Sequence, residues 1–172
     1  MTAMIECKTN VENDEFVADR ISKSATIRLT GSIEEVFPLF GPVREMDWEA
    51  GWKPQIIFSN SRWVEEHMIF KSKGRFEGED YYQWIVTQYF PDEHLIEYLV
   101  SAPDRIWFIR VQCEPDGLNT RATVTYTYTS LNSRGSHLNS IALDQMYSRD
   151  LKDWEEAINY YLKHGIALQG SK

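Results

Sequence analysis

The sequence predicts an α+β fold: a curved antiparallel sheet of about seven strands, two short helices inserted after the first strand, and a long C-terminal helix lying on the sheet. Three observations predict it. Apolar and polar residues alternate over several runs between 24 and 129, the period of half-buried strands. Those runs are joined by short turns built on Pro, Asp and Gly, a connection that antiparallel neighbours use. After 136 the apolar spacing lengthens to three and four, the mark of a helix with one buried stripe.

Residues 1–20 are polar and acidic, with Glu12, Asp14 and Glu15 close together, and read as a solvated arm before a single domain at 21–168. From Ser24 to Thr30, Ala25, Ile27 and Leu29 fall on one side and Thr26, Arg28 and Thr30 on the other, a first strand. Gly31 ends it. Ser32 and Glu35 then have capping-box spacing, because each side chain can reach the other's backbone N–H. Val36, Phe37, Leu39 and Phe40 follow on a short helix in which Pro38 comes early enough to remove no helical bond. Gly41-Pro42 stops that helix, and Val43 to Ala50 forms a second short helix or turn.

Strand candidates follow at Gln55–Ser59, Glu66–Lys71, Tyr81–Phe90, Leu95–Ser101, Arg105–Glu114 and Thr120–Thr129. Gly74 and Gly78 bracket a charged turn. Pro91-Asp92-Glu93, Ala102-Pro103-Asp104 and Pro115-Asp116-Gly117 mark the later ones, since Pro presets φ and Asp or Gly accepts turn geometry. Leu138, Ile141, Ala142 and Gln145 then share a face that Tyr147, Leu151, Trp154, Ile158, Tyr161 and Leu162 continue. This is an amphipathic helix of about 25 residues with room for a kink, closed by Gly165.

Composition narrows the function. The chain has 172 residues, 42% of them hydrophobic, enough for one sizeable core. Six Trp and nine Tyr supply either a bulky core or aromatic cavity walls. A net charge of −8 repels phosphate backbones, so nucleic acid is not an expected partner. Cys7 and Cys113 form no CxxC pair and read as reduced thiols. The N-terminus lacks a basic and apolar leader and no apolar run approaches ~18 residues, so no integral membrane association and a cytoplasmic location are expected. A GxSxG elbow, a phosphate loop, a dinucleotide fingerprint and HExxH are all missing, and no cofactor or metal is expected. A monomer and a homodimer both stay open.

The order of elements resembles the helix-grip fold of the START-like (SRPBCC) superfamily, which holds START lipid-transfer domains, the major birch-pollen allergen and aromatase/cyclase domains of polyketide synthesis. The resemblance covers about 22–165. Its most specific stretch runs from Ser32-Ile33-Glu34-Glu35-Val36-Phe37-Pro38 to Trp48-Glu49-Ala50-Gly51-Trp52, which looks like the opening of bacterial members. Trp84-Ile85-Val86-Thr87 and Thr123-Val124-Thr125-Tyr126-Thr127-Tyr128-Thr129 are similar to later parts of the same group. The resemblance implies the fold and a ligand chamber, and it carries over no catalytic motif. A lipocalin has no pair of helices after its first strand, and cone-shaped α+β folds begin with their helices.

Alternation sorts the strand residues into two faces. Taking the face with larger apolar groups as concave points Met68 and Phe70, Tyr82, Trp84 and Val86, and Ile96, Tyr98 and Val100 inward. Trp107, Ile109, Val111 and Cys113, then Ala122, Val124, Tyr126 and Tyr128, follow by the same parity, while Leu151 and Trp154 come from the helix stripe. The tyrosines either orient a ligand's polar group or bond one another and the backbone within a core. Trp48 and Trp52 are either a rim over ligand or, the preferred reading, a plug at the end of the sheet. Glu45, Asp47 and Glu49 read as solvated. Arg110 reads as outward. His137 is the one histidine of four placed to approach a pocket entrance. A binding or carrier function for a hydrophobic or aromatic small molecule or lipid leads. A cyclase, dehydratase or hydrolase in the same chamber would need a polar group with a displaced pKa deep inside. The sequence singles out none and so leans against catalysis. A protein-interaction module is the third reading.

Overall fold

A computed structural model describes residues 16–169; Cys7 and the first fifteen residues of the expected arm lie outside it. Strand β1 (Arg20–Leu29) opens the chain. Helix α1 (Ile33–Val36) follows and runs into a 3-10 turn at Phe37–Phe40, with a second 3-10 turn at Arg44–Asp47. Six strands come next: β2 (Gln55–Phe58), β3 (Ile69–Lys73), β4 (Tyr81–Phe90), β5 (Leu95–Ser101), β6 (Arg105–Asp116) and β7 (Asn119–Ser130). Helices α2 (Ser133–Met146) and α3 (Lys152–His164) end the described chain. The strands form one antiparallel sheet in the order β1-β7-β6-β5-β4-β3-β2.

Strand β1 starts four residues before the alternation suggests. Its outer face carries Ser22, Ser24 and Thr26, whose hydroxyls bond Thr127, Thr125 and Thr123 of β7 at 2.9, 2.7 and 2.9 Å. Such a polar cross-strand ladder has no hydrophobic signature. The β6–β7 hairpin also runs longer than expected. Asp116 still pairs with Asn119, so Pro115 ends a strand rather than making the turn, and Gly117, at φ +68°, and Leu118 form the loop. Strand β3 is shorter, beginning after His67, which has a left-handed backbone.

The single C-terminal helix expected from the pattern is two helices. The break spans Tyr147 to Leu151, and Asp150 and Leu151 are both left-handed, at φ +50° and +58°. Tyr147 is pinned to the sheet by its hydroxyl on the Val124 carbonyl (3.1 Å) and Leu151 is fully buried, so the chain bends to keep both in the core. Helix α2 enters against the β5–β6 turn, where a Cβ on Gly135 would stand 2.0 Å from the Asp104 carbonyl oxygen. Helix α3 caps the C-terminal end of the free edge of β1. Glu155 accepts from the Arg28 N–H (2.8 Å), and Asn159 accepts from the Thr30 N–H (2.7 Å) and donates to the Arg28 carbonyl (2.9 Å). The last backbone groups of that edge are thereby paired. No helix among the described residues is long and apolar enough to cross a membrane.

Candidate functional site

Between the inner face of the sheet and helices α2 and α3 lies a cavity of about 560 Å³. Its wall is made by cross-strand registration of rings. Trp107 of β6 faces Tyr128 of β7, and Ile109 faces Tyr126, so four large side chains meet on one face. Tyr128 stacks on Trp107 and Tyr126 on Tyr128, at centroid distances of 5.1 and 6.1 Å. Tyr98 of β5, with Tyr82 and Trp84 of β4, extends the wall toward the sheet's far edge. From α3, Trp154 closes the opposite side, edge-on to Trp48 at 5.5 Å.

Ten of the thirteen residues singled out from sequence border this cavity: Trp48, Trp52, Tyr82, Trp84, Tyr98, Trp107, Ile109, Tyr126, Tyr128 and Trp154. Met68, Phe70 and Leu151 do not. They are buried core, and Phe70 lies behind the wall, stacked on Trp84 at 5.3 Å. Parity put Met68 and Phe70 on the inner side, and the helix stripe did the same for Leu151, but packing covers all three. The two tryptophans after α1 combine both readings. Trp48 is 1% exposed with its indole N–H on the Leu39 carbonyl (2.8 Å). Trp52 donates to the Pro42 carbonyl (2.8 Å) and meets Trp84 edge-on at 5.5 Å, plugging the sheet end while bordering the cavity. His137 is exposed and does not border the cavity, so it does not reach an entrance. Arg110 lies on the outer face near Glu97, as parity requires.

The cavity has two polar ends that sequence reasoning missed. One is an ion pair. Arg105, 1% exposed, bonds Glu79 through two parallel N–H···O contacts of 2.7 Å. It donates further to the Leu138 carbonyl (3.2 Å) and the Tyr82 hydroxyl (3.3 Å), and Tyr82 donates to Glu79 at 2.6 Å. Phe76, Trp107 and Tyr128 surround the guanidinium at 4.9, 5.0 and 5.5 Å. No nitrogen or oxygen of the pair is left without a partner, the condition under which a buried pair survives desolvation.

The other end carries Glu45 and Glu49, which border the cavity instead of pointing to bulk water. Glu45 borders the cavity and is half-buried. Burial, with Glu49 repelling it, pushes its carboxyl up to about 8. Glu49 is also raised, first by burial. Arg75, exposed on the rim, partly offsets both. Asp47 differs. It is half-buried outside the cavity and bonds Arg44 at 2.6 Å. The reading of this acidic segment as solvated therefore fails for Glu45 and Glu49, because the turn after α1 folds under the sheet.

The tyrosine hydroxyls divide the same way. Tyr98 donates to the Phe40 carbonyl at 2.7 Å. Tyr126 and Tyr128, each 4% exposed, border the cavity, and their hydroxyls have no hydrogen-bond partner among the described residues. Burial raises the pKa of both, so they stay neutral donors and acceptors. Cys113 is buried with its thiol pushed up to about 12, an inert core group. No cluster of three metal-ligating side chains occurs among the described residues.

No family model matches the chain, and no curated protein does. Several solved structures match over nearly their whole length. Norcoclaurine synthase from Thalictrum flavum is 11% identical with a TM-score of 0.65, over 88% of this chain and 99% of that one. An aromatase/cyclase from a Streptomyces species is 10% identical with a TM-score of 0.66, over 87% and 100%. A major latex-like protein from Panax ginseng is 11% identical with a TM-score of 0.56, over 79% and 97%. At such identities the likeness is one of fold, and with the sheet order and helices above it gives this chain a helix-grip fold.

Proposed function

We propose that the chain binds an apolar, ring-containing small molecule in the cavity between the sheet and α2–α3. The observation that carries this reading is a ring-walled hollow of about 560 Å³ bordered by two buried tyrosines whose hydroxyls have no partner among the described residues. Apolar contact supplies affinity at ~25 cal/mol per Å² buried, and hydroxyls that would otherwise lack partners supply orientation. Neighbours in fold include a protein named as a synthase and one named as an aromatase/cyclase, which is consistent with a chamber for small organic molecules. Native mass spectrometry of freshly purified protein tests the reading. The expected result is an adduct of small-molecule mass that leaves on denaturation, or stoichiometric uptake from an aromatic panel. No adduct and no uptake would remove it.

One observation favours a second reading, catalysis in the same chamber. A carboxyl titrating at about 8 is protonated at neutral pH and can give or take a proton beside a bound molecule. Its test is the identity of the ligand recovered after incubation. Conversion by the wild type and none by Glu45→Gln, with ligand still bound, supports an enzyme. Recovery of unchanged ligand from both supports a carrier.

A further inference from the structure

Glu45 and Glu49 sit one helical turn apart, the Glu49 N–H donating to the Glu45 carbonyl at 2.9 Å, and both side chains border the cavity. Neither carboxylate has a hydrogen-bond or ion-pair partner among the described residues. The groups that act on them are few. Arg75 attracts both from the rim, and Asp153 of α3 adds a further negative charge beside Glu49. Tyr98 of β5 and Tyr126 of β7 are neutral hydroxyls close enough to Glu45 to feel its charge. Lys53 and Lys73 border the cavity but are exposed at its entrance, so they set the charge of the mouth and not of the interior.

Independently of the carboxyls, Tyr126 places an unpartnered hydroxyl in the same hollow while being 4% exposed. Its ring stands 6.5 Å from that of Trp154, which in turn meets Trp48 at 5.5 Å. Two half-buried carboxyls among aromatic rings, each without a partner among the described residues, make a defined electrostatic demand. An anionic ligand would raise the cost of ionising either carboxyl and a neutral one would leave that cost in place. A cation removes it, gains charge-assisted hydrogen bonds and is attracted by the π-systems. Resting on the binding function proposed above, we infer that the occupant is an organic amine in its protonated form, its ammonium seated between Glu45 and Glu49 beside Trp48, Trp154 and Tyr126 and its apolar body along the ring wall.

The test is a matched pair of probes, 1-naphthylmethylamine and 1-naphthylmethanol, titrated calorimetrically into the full chain at neutral pH. They share a ring system and nearly a volume and differ in charge. The amine binds tighter by at least ~10-fold, and its binding releases protons because ion pairing drives Glu45 to ionise. Glu45→Gln and Glu49→Gln each cut the amine's advantage, and the double variant removes it. Circular dichroism spectra matching the wild type show that all three variants keep their fold. Equal or tighter binding of the alcohol to the wild type overturns the amine assignment and leaves the binding function standing. Failure of both probes to bind removes the two together.

Discussion

At the end of the cavity nearest the β3–β4 turn, the buried charges of Arg105 and Glu79 are fully used on each other, on Tyr82 and on a backbone carbonyl. At the end formed after α1, Glu45 and Glu49 have no such partners and face the hollow. Both ends put ionisable groups against the same aromatic wall. The difference separates what holds the fold from what is available to a ligand. A matched pair is part of the structure, and an unmatched one retains interaction energy for something else.

The largest effect that can break this contrast is at the matched end. Arg105→Met leaves Glu79 buried without a cation, and unfolding measurements are expected to show a loss of about 3–5 kcal/mol. Adding Glu79→Leu to it should recover most of that loss, since the double variant removes both charges. A double variant no more stable than the single one would mean that the pair contributes net stability beyond satisfying itself.

The next effect is at the unmatched end, and it depends on pH. An unfolded Glu45 titrates near 4.5 and the folded one at about 8. Between those values the folded chain holds a proton that the unfolded chain has released, so this group's contribution falls as pH rises and is lost above about 8. Glu45→Gln is therefore expected to be more stable than the wild type at pH 9, by on the order of 1–4 kcal/mol, and close to it at pH 4. Parallel denaturant titrations at the two pH values measure it. A variant equally destabilised at both would place Glu45 in a conventional hydrogen-bonded role.

The smallest effect separates two tyrosines on one wall. Tyr98→Phe strands the Phe40 carbonyl and should cost about 1–3 kcal/mol. Tyr126→Phe removes a hydroxyl with no protein partner and should change stability by under ~0.5 kcal/mol while weakening the binding of a hydrogen-bonding ligand. Thermal melts of both variants, with and without ligand, check the difference.

These ends also mark where the sequence stops being legible. The ring wall could be read, because period two fixes which residues of a strand share a face, and Trp107, Ile109, Tyr126 and Tyr128 follow from it. Arg105 has the same parity as Trp107. The signal was present, but an inward list built from apolar residues passes over a cation whose partner is distant in sequence. That partner, Glu79, reaches it because the charged turn doubles back so tightly that a Cβ on Gly74 would stand 1.7 Å from the Glu79 carbonyl oxygen. No periodicity encodes that approach. Glu45 lies in a four-residue 3-10 turn, too short to show an amphipathic face. The helix break was also hidden, since no Gly or Pro occurs from 136 to 164 and the left-handed residues are Asp150 and Leu151.

Ala142 offers the most direct test of whether the hollow itself is the binding site, because it borders the cavity from α2 and carries no polar function that ligand recognition could require. Calorimetric titration of 1-naphthylmethanol into the wild type and into Ala142→Phe, both checked for folding by circular dichroism, compares an open interior with a filled one. One equivalent bound by the wild type and none by the filled variant is the predicted result. Equal binding by both, which would put the ligand on the outer surface, or no binding by the wild type, would contradict it.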